Sequence, residues 1–306
     1  MKCRKCGEKA VINLRQHRLA LCKVHYLEWI PRQVDRFIHK YGMLSQQDRI
    51  LIAVSGGKDS LALWDILSTL GILADGLYID LGIDEGVLYS HISRQTIEIF
   101  VDTRKLHLHI VDVKQEFGQT ISQMANKTSR GKGKPCAVCG LVKRHIMNRV
   151  AREKGYDVLA TGHNLDDEAA VLFGNTLNWE LDYLARQGPV LEANHPGLIR
   201  KVKPLFRLSE RELAAYTLLK QIRYIYDECP HAIGSKAITY KELLNYLEEQ
   251  RPGAKLNFYL SFLKAKKKGL FNAIDQEQIE KLNTCPNCGQ PTTAPGECTF
   301  CRMVLS

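Results

Sequence analysis

A chain of 306 residues, 45% of them hydrophobic, is long enough for one large domain with appendages or for two ordinary domains. No apolar run approaches the roughly 20 residues that cross a membrane, and no signal-type apolar segment follows the first residues, so we expect a cytoplasmic protein without a membrane partner. The formal net charge of +10 favours a polyanionic partner, and nucleic acid rather than a membrane surface, because no basic amphipathic anchor stands out.

The ten cysteines are the most informative part of the composition. In a reducing compartment they are expected to bind metal or to react rather than to form disulfides. The first group has two close ligand pairs, a spacing typical of tetrahedral zinc, and it comprises Cys3, Cys6, Cys22 and His25. Residues 1–27 are therefore predicted to be a zinc finger that folds only with its metal. The alternative is a three-cysteine site completed elsewhere, with His25 a solvated histidine at a helix start.

A glycine-rich loop is predicted between a strand and a helix. The apolar run 50–54 is short and branched, which indicates a buried parallel strand. The hexapeptide Ser55-Gly56-Gly57-Lys58-Asp59-Ser60 separates this run from a helical pattern. Such a turn presents free backbone N–H groups at the positive end of the helix, and a polyphosphate is the obvious anion for it. An ordinary strand–helix turn is the alternative.

The order of residues in this loop differs from a Walker A sequence, because lysine directly follows two glycines and precedes an aspartate. Gly56 and Gly57 are predicted to let the backbone approach a pyrophosphate, and the hydroxyls of Ser55 and Ser60 to donate further hydrogen bonds. An aspartate is unexpected beside an anion unless a cation is present, so Asp59 indicates Mg²⁺ on the phosphates.

Strand-like segments at 73–80, 106–113 and 158–161 alternate with helical patterns after the loop. This alternation predicts βαβ units and an α/β fold with a doubly wound parallel sheet, in which ligands bind beyond the carboxyl ends of the strands. The segment 114–135 interrupts the alternation. Its basic part, 128–134, indicates either a mobile loop that contacts a phosphate backbone or a solvated connector.

A second polar turn follows the strand at 158–161, and it reads Gly162-His163-Asn164-Leu165-Asp166-Asp167-Glu168. It belongs to the same edge of the predicted sheet as the glycine-rich loop. Its three carboxylates open a helix, so they either complement the helix dipole or include a ligand of Mg²⁺.

The sequence patterns divide the chain after the N-terminal zinc finger into three parts. The catalytic domain is predicted at 28–235 and a helical extension at 236–282, whose basic patch suits either phosphates or solvent. The tail at 283–306 is predicted to be a zinc ribbon with two C-x-x-C pairs nine residues apart, and its ligands are Cys285, Cys288, Cys298 and Cys301. The fold class is thus a parallel α/β sheet with small zinc-binding modules at both termini.

Three cysteines remain, Cys136, Cys139 and Cys229. The first two form a C-x-x-C pair at the start of a predicted helix, and Cys229 precedes a proline. Three thiolates suit neither a closed four-cysteine zinc site nor a simple disulfide, but they suit a cubane iron–sulfur cluster with one iron lacking a protein ligand. A zinc ion with three cysteines and a water, or a redox pair with Cys229 as a bystander, are the alternatives.

Taken together, these motifs resemble the TtuA/TtcA family of tRNA 2-thiolation enzymes, within the PP-loop ATP pyrophosphatase superfamily. The resemblance rests on the loop 55–60, C-x-x-C at 136–139, G-H-N-x-D-D at 162–167, Cys229-Pro230 and the terminal zinc modules. It therefore extends essentially from end to end. The zinc modules point to the TtuA branch, which thiolates the 5-methyluridine of the T loop.

The resemblance implies a chemistry and a set of roles. ATP would adenylate the C2 oxygen of the uridine and sulfur would then displace AMP, with a [4Fe–4S] cluster on the three remaining cysteines. Asp59, Lys143 and Asp167 would be catalytic. The ATP-binding residues would be Ala53, Ser55, Gly56, Gly57, Lys58, Asp59, Ser60, Ile79, Lys143 and Gly162. The resemblance also implies ATP with Mg²⁺, tRNA as the substrate, a ubiquitin-like protein thiocarboxylate as the sulfur donor, and a homodimer.

Three other functions remain open from the sequence. One is thiolation of the wobble uridine of the anticodon or of another tRNA base. Another is a PP-loop ligase or amidotransferase for a small molecule, which the two zinc modules and the basic charge disfavour. The last is a non-catalytic zinc-ribbon RNA-binding protein, which the intact residues Lys58, Asp59 and Ser60 disfavour.

Overall fold

The computed structural model of the protein describes residues 1–84, 88–128, 134–232, 234–272 and 282–305. Its strands are β1 Ile12–Leu14, β2 Leu19–Leu21, β3 Ile50–Val54, β4 Ala74–Asp80, β5 Leu108–Asp112, β6 Val158–Thr161, β7 Val190–Leu191, β8 Arg200–Val202, β9 Asn283–Thr284 and β10 Pro291–Thr292. Its helices are α1 Lys23–Tyr41, α2 Lys58–Thr69, α3 Tyr89–Arg104, α4 Val113–Phe117, α5 Ile121–Lys127, α6 Pro135–Glu153, α7 Leu165–Leu177, α8 Leu181–Arg186, α9 Glu210–Leu219, α10 Lys236–Gln250, α11 Ala254–Lys267 and a last helix Thr299–Leu305.

The central sheet has six strands in the order β5-β4-β3-β6-β8-β7, and all of them are parallel except β7, which pairs antiparallel with β8. Because β4 and β5 lie on one side of β3 while β6 and β8 lie on the other, the chain order reverses between β3 and β6. This reversal places a crevice beyond the carboxyl ends of those two strands. The predicted doubly wound α/β fold is confirmed.

The strands of the sheet are buried on both faces, as their branched apolar sequences require. Successive residues of β3 point to opposite faces, so Ile50 and Ile52 pack in one core while Leu51 packs in the other. The first core includes side chains of α1, α2, α3 and α9, and the second includes those of α5 and α6. None of the helices in the described ranges has the length and apolar character needed to cross a membrane.

Two regions differ from the sequence expectations in detail. The segment 198–206, for which no strand was predicted, contains β8, an interior strand of the sheet. The segment 114–135, for which no elements were predicted, contains most of α4 and all of α5, which begins with a capping box between Thr120 and Gln123. The basic loop predicted at 128–134 lies mostly outside the described residues.

The N-terminal module is a small antiparallel hairpin whose core is continuous with that of the main domain. Strands β1 and β2 are joined by a short 3₁₀ turn, and Arg18 adopts the left-handed conformation before β2. Cys3 and Cys22 pack in the same core as Tyr26 of α1, whose hydroxyl donates to the Glu212 carbonyl at 2.6 Å. The predicted division at residue 27 stays a prediction.

The C-terminal module packs on α6 through an aromatic stack. The ring of Phe300 lies 3.6 Å from that of His145, between centroids, with an interplanar angle of 10°. The Gln290 amide also donates to the His145 carbonyl at 3.0 Å. Burial lowers the pKa of His145 to about 4, and the positive charge of Arg149 acts in the same direction. His145 is therefore neutral when the module is docked.

This burial predicts a pH-dependent stability. Between pH about 6.5, the ordinary pKa of histidine, and pH about 4, the unfolded chain binds a proton at His145 that the native chain does not, so stability falls as the pH falls. His145→Phe keeps a ring for the stack but cannot titrate. We expect its melting temperature to fall less than that of the parent protein between pH about 7 and about 5.5. Equal decreases in the two proteins, at equal zinc content, would contradict the assignment.

Candidate active site and metal centres

The glycine-rich loop forms a turn that ends directly at α2. The backbone N–H of Ser55 donates to Ser60 Oγ at 3.2 Å, and that of Gly57 donates to Ser55 Oγ at 3.4 Å. Gly56 has a φ of +79°, and a Cβ there would lie 3.1 Å from the Ser93 carbonyl oxygen. Among the described side chains none caps the N-terminus of α2, so its first N–H groups remain available to an anion.

The turn after β6 lies against this loop at very short range. A Cβ on Gly162 would be 2.8 Å from the Ser60 nitrogen and 2.9 Å from the Asp59 carbonyl carbon. A glycine is therefore required for the two turns to meet. Gly162 packs against the backbone of the loop, and Ala53, Ser55, Ile79 and Lys143 line a small cavity together. The structure thus brings four of the predicted nucleotide contacts into one cavity.

Three carboxylates and two lysines meet beside the loop. Lys58 Nζ donates to Glu210 at 2.5 Å and to Asp59 at 3.3 Å. Lys241 lies 2.6 Å from Asp167 and 3.6 Å from Glu210. With both lysines protonated and all three carboxylates ionised, this group carries an excess of one negative charge.

Asp59 is a member of this group whose ionised form is disfavoured by its surroundings. Burial raises its pKa to about 6; Lys58 opposes this shift, and the negative charges of Asp167 and Glu210 add to it. Burial also raises the pKa of Asp167, but Lys241 outweighs it and the net shift is downwards. The Oδ1 atom of Asp59 is buried and has no hydrogen-bond partner among the described residues. An orphaned carboxylate oxygen in a negatively charged cluster fits a divalent cation.

The three carboxylates at the start of α7 have different partners, which spacing alone did not reveal. Asp166 pairs with Lys255 at 2.5 Å, and Glu168 accepts from Lys203 at 2.7 Å. Asp167 turns towards the glycine-rich loop 55–60, called the phosphate loop below, where it affects the pKa of Asp59. Of the three carboxylates at the start of α7, Asp167 is the one that faces the site.

Sequence reasoning missed the residues that complete this cluster. Glu210 opens α9 and Lys241 lies on α10, and no local motif marks either of them. Lys255 and Tyr259, on α11, reach Asp166 and Glu168. Helices α10 and α11 pack across α7, so the predicted extension is part of the site's support.

The three remaining cysteines lie close to one another at one end of α6. Cys136 and Cys139 are on its first turns, and Cys136 Sγ donates to the His231 carbonyl at 3.3 Å just beyond Cys229. Burial raises the pKa of Cys139; Lys143 lowers it, and the other two sulfurs raise it.

The number of these thiols bears on the group that they could hold. Cys136 and Cys229 lie close enough to Cys139 for their charges to raise its pKa. Three thiolates leave one iron of a cubane without a protein ligand, whereas a closed structural zinc site takes four protein ligands. The donor set therefore fits an iron–sulfur cube.

Both predicted zinc sets are assembled. In the first, Cys3 and Cys22 sulfurs lie 3.4 and 3.3 Å from His25 Nδ1. The second contains the four C-terminal cysteines, with the Cys285–Cys301 and Cys288–Cys298 sulfur pairs each 3.8 Å apart. A tetrahedral Zn²⁺ with Zn–S bonds of about 2.3 Å holds its sulfurs roughly 3.8 Å apart. Both sets fit zinc.

Comparison with known proteins gives matches over almost the whole chain. Residues 2–27 match the family described as the N-terminal LIM domain of 2-thiouridine synthetase TtuA, and residues 27–233 match the PP-loop domain family. A tRNA-5-methyluridine(54) 2-sulfurtransferase of Thermus thermophilus is 49% identical over 99% of this chain and 91% of the relative. One of Thermotoga maritima is 42% identical over 99% and 96%.

A solved structure is also similar along most of its length. It is the U34-tRNA thiolase NcsA from Methanococcus maripaludis with its [4Fe–4S] cluster, at 25% identity and a TM-score of 0.77, covering 87% of this chain and 88% of that one. These matches confirm the resemblance that the motifs indicated.

The buried Lys255–Asp166 pair predicts a strongly destabilised single variant. Both residues are almost completely buried, so Lys255→Met leaves an unpaired charge and should cost about 3–5 kcal/mol in the free energy of unfolding. The double variant with Asp166→Asn should recover most of this loss. Lys264→Met, at an exposed position of the same helix, serves as the control and should change little in the same denaturant titration. A double variant as unstable as the single one would contradict the pairing.

Proposed function

We propose that this chain, which belongs to the PP-loop family of tRNA 2-thiolation enzymes, exchanges the C2 oxygen of the 5-methyluridine at tRNA position 54 for sulfur at the expense of ATP. The target comes from the relatives at 41–49% identity, which are named for that reaction. The observation that carries the proposal is the place of Lys143. It lines the cavity beside Ser55, and it lies close enough to Cys139 for its positive charge to lower the pKa of that thiol, so one side chain lies between the phosphate loop and the three cysteines.

The first half of the reaction is adenylation. The uridine C2 oxygen attacks the α-phosphate of ATP, the bond to pyrophosphate breaks, and the oxygen becomes part of an AMP ester, which is a far better leaving group. The N-terminus of α2 and the backbone of Gly56 and Gly57 receive the pyrophosphate. Lys143 stabilises the charge that develops at the α-phosphate. The nucleotide contacts proposed are those of the predicted set, with Ala53 and Ile79 bordering the cavity and Gly162 supporting the loop.

Asp59 and Asp167 are proposed to hold Mg²⁺ on the phosphates. The buried, unpartnered Asp59 Oδ1 and the excess negative charge of the cluster support this assignment. The ion would supply neutralisation of charge on the phosphates. Lys58 and Lys241 orient the two carboxylates, since each lysine pairs with one of them and also contacts Glu210.

The second half of the reaction exchanges oxygen for sulfur. A sulfur nucleophile attacks C2, and the bond from C2 to the adenylated oxygen breaks, so AMP leaves with the original oxygen. Cys136, Cys139 and Cys229 are proposed to hold a [4Fe–4S] cluster, because a three-thiolate donor set suits one and the NcsA structure carries such a cluster. With only three protein ligands, such a cluster would supply one iron with an open position for sulfide.

Further parts of the proposal rest on the resemblance. They are zinc in both terminal modules, a ubiquitin-like protein thiocarboxylate as the sulfur donor, a homodimeric assembly and a cytoplasmic location. The liganding distances of the two modules support the zinc.

Thiolation of the wobble uridine is the second candidate, and the similarity to the U34-tRNA thiolase favours it. Mass spectrometry of nuclease fragments from treated tRNA separates the two. The sulfur-for-oxygen mass change should lie in the T-loop fragment, and its appearance in the anticodon fragment would assign the other target.

Removing one cysteine should separate the two halves of the reaction. Cys229→Ala is expected to abolish thiolation and the visible absorbance of an iron–sulfur cluster, while ATP binding stays within about twofold of the parent. Glu228→Ala, at the exposed neighbouring residue, is the matched control and should retain the absorbance. Full thiolation by Cys229→Ala under anaerobic conditions would contradict the proposed role of the three cysteines in sulfur transfer.

A methyl group at Gly162 should damage the phosphate loop selectively. Gly162→Ala places a Cβ 2.8 Å from the Ser60 nitrogen, and backbone on both sides resists relaxation. We expect ATP affinity to fall at least about tenfold, measured by isothermal titration calorimetry, since a shift of a loop by a few tenths of an ångström misaligns several donors. Gly296→Ala, where a Cβ meets nothing within 4 Å, is the control. Unchanged ATP affinity in Gly162→Ala would contradict the proposed cradle.

A further inference from the structure

The segment 222–229 contacts the phosphate loop and ends at Cys229. Ile222 and Ile225 are buried, and the backbone N–H of Ile225 donates to the Gly56 carbonyl at 2.9 Å. The side chains of Arg223 and Tyr226 point away from this anchored face and are exposed. The hydrogen bond therefore fixes the exposed face of the segment relative to both the loop and the cysteines.

Tyr226 presents one free aromatic face at this place. It is 77% exposed, and its ring centroid lies 4.4 Å from that of Tyr224 with a tilt of 38°. Tyr224 is half-buried and close enough to Lys58 and Asp59 for their charges to affect its pKa, which burial raises. Both tyrosines border an open groove of about 560 Å³, which also exposes Leu218. The ring of Tyr226 is thus backed by a second ring and open on the other side.

The lining of the groove is compatible with a nucleic acid. Among the described residues that line it, Arg223 is the one that carries a charge. The exposed carboxylates Asp227 and Glu228 follow in sequence and lie outside this lining. Stacking of a nucleobase depends on the flat ring, and a cation beside the ring suits the phosphates of the same strand.

We propose that Tyr226, backed by Tyr224, is a stacking platform for an unstacked nucleobase of the tRNA loop that flanks the modified uridine. This inference rests on the proposed function, because it takes tRNA as the ligand. Reaching a base inside a folded loop requires its neighbours to be splayed apart, and an exposed ring beside the reaction centre holds one of them. The platform would therefore position the uridine between the ATP loop and the three cysteines.

The test compares Tyr226→Ala with two partners, Tyr226→Phe, which keeps the ring, and Tyr246→Ala, which removes a tyrosine 67% exposed on α10. Tyr226→Ala should raise the dissociation constant for unthiolated tRNA roughly tenfold, the loss typical of one base–aromatic stack. Tyr226→Phe and Tyr246→Ala should bind tRNA as the parent does. ATP affinity should be unchanged in all three.

A spectroscopic measurement identifies the stack directly. Single 2-aminopurine substitutions are placed at each T-loop nucleotide in turn. Quenching of one of them on binding the parent and Tyr226→Phe, but not Tyr226→Ala, is the expected result. Absence of such quenching at every T-loop position would overturn the platform. So would equal losses of affinity in Tyr226→Ala and Tyr246→Ala, or parental affinity in Tyr226→Ala together with lost self-association, which would assign the ring to a contact between copies.

These outcomes are distinct from failure of the proposed function. If the parent protein bound tRNA through Tyr226 but incorporated no sulfur, the platform would stand and the thiolation proposal would be wrong. If sulfur were incorporated equally well by Tyr226→Ala and the parent at limiting tRNA, the thiolation proposal would stand and the platform would be wrong.

Discussion

The meeting of two turns at one edge of the parallel sheet is the constraint on which the site depends. Because the strand order reverses between β3 and β6, the turns that follow these neighbouring strands have to share one edge. They can do so because Gly162 has no side chain to strike the backbone at Asp59 and Ser60. Asp167 is brought beside Asp59 by the same meeting of turns, since it lies in the first turn of the helix that begins there.

The electrostatics of the site run opposite to those of the whole chain. The protein carries a formal net charge of +10, yet the cluster beside its phosphate loop contains three carboxylates (Asp59, Asp167 and Glu210) and two lysines (Lys58 and Lys241). The overall positive charge suits attraction of a nucleic acid over long range. The local excess of negative charge suits a divalent cation, which arrives with ATP. Burial disfavours the ionised form of Asp59 and so raises its pKa. A cation bound beside this carboxylate would offset that cost.

The parts of this molecule that could be predicted are those encoded by neighbours in sequence. The strand before Ser55, the turn at Gly162 and the close pairs of ligands in the two zinc modules all depend on short spacings. The contribution of Glu210 and Lys241 could not be predicted, because Glu210 reaches Lys58 from 152 residues away in the sequence and Lys241 reaches Asp167 from another helix. For the same reason spacing identified three carboxylates at the start of α7 but not which one faces the phosphate loop.

The central claim is that the ATP loop and the three-cysteine centre serve one reaction, with zinc confined to the terminal modules. The most direct measurement is purification under anaerobic conditions with iron, acid-labile sulfide and zinc counted per chain alongside tRNA thiolation. We expect about four irons and four sulfides, about two zincs for the two liganding sets, and activity that rises with iron content. An iron-free protein that still thiolates tRNA with ATP would contradict it.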